Sequence, residues 1–264
     1  MPVGHREHPL IQDFTFYALA VPAFLIVGIS KGGFGMGIGA IALPMLAFMV
    51  PVPQAAAIML PLLIAMDVIG LFMYRGRWDG ANMRILLPGG LLGTLLGYLS
   101  FRHLGEGWIR LIIGTVAAGY PLQTWLRARF TVATQAGTSW PKGTFWSTIS
   151  GLTSFIANAG GPPLSVYLLP QRLDKTLFTG TTIYFFAVIN WAKVVPFWVL
   201  GQFAPQNVLT ALVLLPLAPI GMAMGWWLHE RVSDRLFYRI CNTMLVLVGI
   251  RFLWDGLRMV LAAG

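Results

Sequence analysis

The stretch Gly28-Ile29-Ser30-Lys31-Gly32-Gly33-Phe34-Gly35-Met36-Gly37-Ile38-Gly39 places five glycines in the eight positions from 32 to 39, inside otherwise apolar sequence. A second interrupted stretch runs from Gly151 to Pro163 and ends Asn158-Ala159-Gly160-Gly161-Pro162-Pro163. Neither can form a continuous helix without cost. Relative to alanine, glycine loses about 1 kcal/mol and proline about 3 kcal/mol in a helix interior.

The sequence around these breaks is membrane-like. The chain has 264 residues, 57% hydrophobic and only 10% charged, with a mean hydropathy of +0.73. Soluble domains carry roughly 25% charged residues. Apolar segments fall at about 14–29, 33–50, 54–74, 83–101, 108–126, 144–157, 161–169, 176–200, 207–228 and 236–262. Several approach the ~20 residues that cross a bilayer. No long water-facing polar stripe accompanies them. The pattern predicts an all-α polytopic membrane protein. Non-helical backbone at membrane depth survives only where it is buried in protein or lines a cavity.

The formal net charge is +9, but 16 of the 18 Lys and Arg are spread over short connectors. There is no basic face with interleaved aromatics, so nucleic acid is not an expected partner. Basic connectors beside apolar helices fit the cytoplasmic side of a membrane protein. Cys241 is the only cysteine, which excludes an intrachain disulfide and a Cys-rich metal motif. Residues 1–12 form a polar tail with His5 and His8, and lack the small-residue cleavage site of a secretory signal. The organisation expected is this tail, a first transmembrane repeat over 13–126, a polar linker over 127–143 and a second repeat over 144–264.

Two repeats are suggested by matched spacings. Leu87-Pro88 followed by Gly93 and Gly97 recurs as Leu215-Pro216 followed by Gly221 and Gly225, an offset of 128. Gly28 matches Gly151 and Asp67 matches Asn190 at an offset of 123. The Gly-x3-Gly pairs need no function, because small residues let membrane helices approach closely. Charge placement addresses topology. With one crossing per broken stretch, the connector Lys and Arg divide 9 to 7. If each stretch is instead a hairpin returning to its own side, they divide 11 to 5. The second division fits the positive-inside rule better and makes the repeats inverted. Each repeat then opens with a glycine-broken helix or helical hairpin, an arrangement that points to a transporter's binding site.

Three charged residues remain deep in apolar segments: Lys31, Asp67 and Lys193. A charge at a helix centre costs a few kcal/mol and marks a cavity or a partner. Lys193 lies one turn after Asn190 and shares its helix face. The functional reading is a cationic pocket in which Lys31, Lys193 and free helix-end N–H groups hold an anion. The substrate-binding set is Ser30, Lys31, Gly32, Gly33, Asn158, Gly160, Gly161, Asn190 and Lys193. The alternatives are an Asp67–lysine ion pair that only joins helices, or lysines snorkelling to an interface. Asp67 is the candidate proton carrier or counter-ion. Thr153 and Ser154 are further donors, although such hydroxyls often bond their own backbone.

Other chemistries lack their residues. Gly35, Gly37 and Gly39 do not have dinucleotide-binding spacing, and no phosphate-binding loop with its lysine occurs. The histidines, His5, His8, His103 and His229, fall in the tail or at connectors, which argues against a metal site or catalytic dyad at membrane depth. No cofactor is expected. Trp78, Trp108, Trp146 and Trp254 near segment ends read as an interfacial belt. Trp191 and Trp198 lie deeper, for helix packing or the transport path.

The chain resembles the sulfite exporter TauE/SafE family, also called the toluene-sulfonate uptake permeases, over about 14–260. Each of its repeats opens with a glycine-rich run followed by proline. Gly37-Ile38-Gly39-Ala40-Ile41-Ala42-Leu43-Pro44 fits the first instance and Asn158 to Pro163 a variant of the second. The departures are Lys31, Phe34, Met36 and Ile38 in the first run, and Tyr167 at the counterpart of Pro44. The resemblance implies movement of sulfite, sulfonates, sulfoacetate or related organic anions across a bacterial inner membrane. The resulting expectation is a secondary transporter using alternating access, not an enzyme. An anion channel and a membrane-embedded enzyme remain the alternatives. Expected partners are a small anionic substrate, the lipid bilayer, a coupling proton and, as a further option, a second copy of the chain.

Overall fold

The computed structural model describes residues 11, 13–35, 42–100 and 136–263, with 107, 108, 110, 111, 114, 115, 118, 119 and 122 from the segment between. Among these residues every regular element is a helix. Helix α1 (Phe14–Ile29) runs into a π-helical turn at Ser30–Phe34, followed by α2 (Ala42–Ala47), α3 (Val52–Met73) and α4 (Gly80–Ser100). After the linker come α5 (Trp140–Ala157), α6 (Gly161–Leu168) with a 3-10 turn at Leu169–Gln171, and α7 (Lys175–Val199). The chain ends with α8 (Pro205–Leu214), α9 (Leu217–Arg231) and α10 (Asp234–Ala263).

Helix starts follow local chemistry. Asp13 accepts a 2.8 Å bond from the Thr15 N–H, and Asp174 accepts from Thr176 and Leu177 N–H at 2.8 and 3.0 Å. These carboxylates satisfy amides that a helix leaves open at its N-terminus. Among the described residues four stretches are long and apolar enough to cross a membrane: Phe14–Phe34, Pro53–Met73, Gly80–Ser100 and Lys175–Val199. Twenty-one residues of helix span about 31 Å, the thickness of a bilayer's hydrocarbon. A fifth span forms if α8 and α9 act together; they bend by 44° at Leu215-Pro216, where Pro216 supplies no N–H to the ladder.

The second broken stretch turns back on itself. Asn158 ends α5 in the left-handed conformation at φ 48°. Downstream, the Ala136 N–H donates to the Pro170 carbonyl at 3.1 Å, and the Ser139 N–H to the Tyr167 hydroxyl at 3.2 Å. The far end of α6 therefore lies beside the start of α5. In the first broken stretch Gly35 is also left-handed, at φ 61°, and α2 packs on α1. Residues 36–41, and with them Pro44's approach through Gly37 and Gly39, lie outside the described residues.

Helices α1 and α9 pack together, and so do α4 and α5. Small residues make both contacts close. A Cβ at Gly28 would stand 2.7 Å from the Gly221 Cα, and one at Gly151 would stand 2.0 Å from the Gly90 carbonyl oxygen. The two contacts use several residues at matching sequence offsets. Gly221 and Gly225 lie against Leu25, Gly28, Ile29 and Gly32, while Gly93 and Gly97 lie against Thr148, Leu152 and Phe155. Adding 123 to 25, 29 and 32 gives 148, 152 and 155.

Boundaries differ modestly from those expected. Helix α5 begins at Trp140, not near 144, because Pro141 fits a first helical turn and extended Ser139 precedes it. Residues 127–135 of the expected linker, and His5, His8 and His103, lie outside the described residues. Trp191 and Trp198 are exposed on one face of α7 with Val188, Val195 and Val199. That apolar face suits lipid, and among the described residues neither tryptophan is buried between helices. A further charge group also appears, with Arg110 buried and Arg251 partly exposed: Asp255 pairs with Arg251 at 3.1 Å and with Arg110 at 3.6 Å.

Candidate functional site

Lys31 lies on the π-helical turn, where the ladder of α1 loosens before the left-handed Gly35. Its Nζ stands 2.6 Å from Asp67 Oδ1 and donates to the Leu63 carbonyl at 3.3 Å. Asp67 is fully buried on α3, and its other oxygen, Oδ2, accepts a 2.7 Å hydrogen bond from Asn190 Nδ2 on α7. One carboxylate therefore joins the first break to α7. A buried carboxylate held on both oxygens avoids the large cost of an unpaired charge.

Lys193, three residues after Asn190, is also fully buried. Its Nζ donates to Asn158 Oδ1 at 2.8 Å and approaches the Ser154 carbonyl and hydroxyl oxygens at 3.2 and 3.3 Å. All three acceptors are neutral. Among the described residues no carboxylate lies within ion-pair distance of Lys193. Among the described residues the network thus contains two lysines and one aspartate, a formal excess of one basic group. Lys193 is fully buried, and the Lys31 side chain is 11% exposed.

The expected site residues have distinct placements. Lys31, Asp67 and Asn190 form one bonded group, Lys193 and Asn158 a second, and the Asn190–Lys193 turn of α7 links them. Ser30 is buried next to Lys31. Gly32 and Gly33 have no room for a side chain, since a Cβ on either would meet an α9 carbonyl oxygen at 2.5 Å. Their own carbonyls accept from Tyr74 Oη at 2.7 Å and His229 Nδ1 at 2.6 Å. Gly160 accepts a 2.7 Å bond from Ser150 Oγ, and Thr153 Oγ1 approaches the Ala159 carbonyl at 3.2 Å besides bonding the Ile149 carbonyl within its own helix, so both hydroxyls brace the turn. At the α6 terminus Pro162 and Pro163 have no N–H, and Leu164 N–H is bonded to the Gly160 carbonyl. Gly161 is the remaining amide donor there.

Three contributors were not anticipated. His229, Tyr74 and Thr176 surround the carbonyls that follow Lys31, and His229 is 2% exposed rather than at a connector surface. The signal was available: Gly221, Gly225 and His229 follow at four-residue steps and so share one face of α9.

Residues 20–252 match the family of sulfite exporters TauE/SafE. The chain belongs to that family. The match covers nearly the whole chain, including both breaks, Lys31, Asp67, Asn158, Asn190 and Lys193. TauE/SafE proteins are a transporter family, and the apolar helices described above make this member a membrane protein. Comparison with curated proteins and with solved structures finds no match.

Proposed function

We propose that this TauE/SafE member is a secondary transporter that moves a small anion across the bacterial inner membrane. Sulfite, a sulfonate or a related organic anion is the substrate class. The observation that carries this reading is the buried Lys193 ammonium, held by neutral acceptors alone in a network with surplus positive charge. A buried charge without a counter-ion is costly, and an anionic substrate supplies the missing compensation. On arrival the anion displaces the longer Ser154 contacts, and the freed Ser154 hydroxyl turns to donate to it. Asn158 orients Lys193 and Asn190 orients Asp67, while Asp67 balances Lys31 and is the group available to carry a coupling proton.

The mechanism proposed is alternating access between two inverted repeats. Its support is reciprocity at repeat-equivalent positions. The α1–α9 and α4–α5 contacts correspond under the offsets of 123 and 128, and the left-handed Gly35 and Asn158 are also 123 apart. Asp67 and Asn190, equivalents by the same offset, hydrogen-bond each other, as residues beside a local two-fold axis do. Midplane sites at the interface of inverted repeats with broken helices are a recurrent transporter design.

Purified protein in proteoliposomes, loaded with or without sulfite, tests the reading. Sulfite flux that saturates with concentration and accelerates when sulfite is present on the opposite face supports a carrier. Non-saturating flux would mean a channel, and the absence of flux for sulfite and for simple sulfonates would reject the substrate class.

A further inference from the structure

We infer that Tyr74 and His229 are positioning residues for the anion site: together they clamp the two carbonyls that follow Lys31 and so hold its ammonium on Asp67. This rests on the anion-site reading above. The π-helical turn ends at Phe34 and the chain passes into the left-handed Gly35, so the last carbonyls of the helix need partners from outside it. Tyr74, at the end of α3, donates its hydroxyl proton to the Gly32 carbonyl at 2.7 Å. His229, from α9, meets the Gly33 carbonyl through Nδ1 at 2.6 Å. A carbonyl only accepts, so the imidazole proton sits on Nδ1, and in the neutral ring Nε2 accepts from the Thr176 hydroxyl at 3.2 Å.

The clamp is itself held in place. Tyr74, Trp226 and Phe237 surround the imidazole with ring centroids 5.7, 6.0 and 5.9 Å away. Lys175, next to Thr176, donates to the carbonyls of His229 at 2.8 Å and of Val232, tying the end of α9 to the start of α7. The first break is thus fixed from α3, α7 and α9 at once. Gly32 and Gly33 immediately follow Lys31, so releasing their carbonyls frees the backbone that aims the lysine. The equivalent place in the second half holds an aromatic contact. Phe155 and Phe197, each 123 residues after Gly32 and Tyr74, meet there as rings 5.4 Å apart.

Two readouts on protein in lipid nanodiscs and proteoliposomes test this, with sulfite as the transported probe. Tyr74→Phe and His229→Leu should each speed hydrogen–deuterium exchange over residues 30–35. Each should also raise the half-saturating sulfite concentration about fivefold, the effect of one buried hydrogen bond, while maximal flux stays within about twofold. His229→Asn, which returns a donor to the Nδ1 position, should restore most of the affinity. Faster exchange with unchanged half-saturation would overturn the positioning role, as would unchanged exchange in both variants. If the wild-type protein moves no sulfite, the transport reading fails, and the exchange data alone then decide whether the clamp exists.

Discussion

Asn190 donates a 2.7 Å hydrogen bond to Asp67 across a sequence separation of 123 residues. The same separation relates Gly28 to Gly151 and Gly35 to Asn158. Under the proposed repeat, one position is therefore occupied by an acid in the first half and its amide in the second, and the two are in contact. The consequence is electrical. Two carboxylates there would repel, whereas an Asp–Asn pair accepts one charge, and Lys31 neutralises it at 2.6 Å.

The Lys31–Asp67 pair should dominate local stability. Asp67→Ala leaves the Lys31 ammonium buried without a counter-charge, at an expected cost of about 3–5 kcal/mol. Thermal unfolding of detergent-solubilised protein should show a smaller loss in the Lys31→Met, Asp67→Leu double variant than the sum of the single losses. Strict additivity would mean that the two groups do not interact.

Asn158 has two separable duties. It adopts φ 48°, which costs roughly 1–2 kcal/mol for a residue with an ordinary side chain, and its Oδ1 accepts from Lys193. Asn158→Gly should keep the turn and the melting temperature near wild type but weaken anion transport. Asn158→Ala should lower both. Equal transport in the glycine variant and wild type would remove the amide from the site.

The glycine contacts set helix spacing. Gly28→Ala places a Cβ 2.7 Å from the Gly221 Cα, and Gly151→Ala places one 2.0 Å from the Gly90 oxygen. Both meet backbone, so relief requires helices to move apart, at about 1–3 kcal/mol each. Melting in detergent should fall for both. A loss in only one would argue against the correspondence of the α1–α9 and α4–α5 contacts.

Much of this architecture was legible in the residues because hydrocarbon imposes a length. Apolar segments near 20 residues could be marked directly, and α1 occupies 14–29 as expected. The breaks were legible because clustered glycine and proline have a known backbone cost. Lys31, Asp67 and Lys193 stood out because charge is rare in such sequence. Their partners did not. Nothing in the chain order says that Asp67 takes Lys31 while Lys193 takes Asn158 and Ser154, since that depends on which helix faces pack. His229 was obscured by its neighbours Glu230 and Arg231, which make the segment read as a connector. Only the register of α9 turns its imidazole inward while Arg231 folds over Trp227 at the surface.

The account depends most on the uncompensated charge of Lys193. Initial sulfite uptake into proteoliposomes, measured below saturation for wild type and Lys193→Met at matched protein incorporation, tests it directly. Loss of a buried charge partner for the substrate predicts a fall of about 30-fold or more. Uptake by Lys193→Met at the wild-type rate would contradict the claim that this ammonium binds the transported anion.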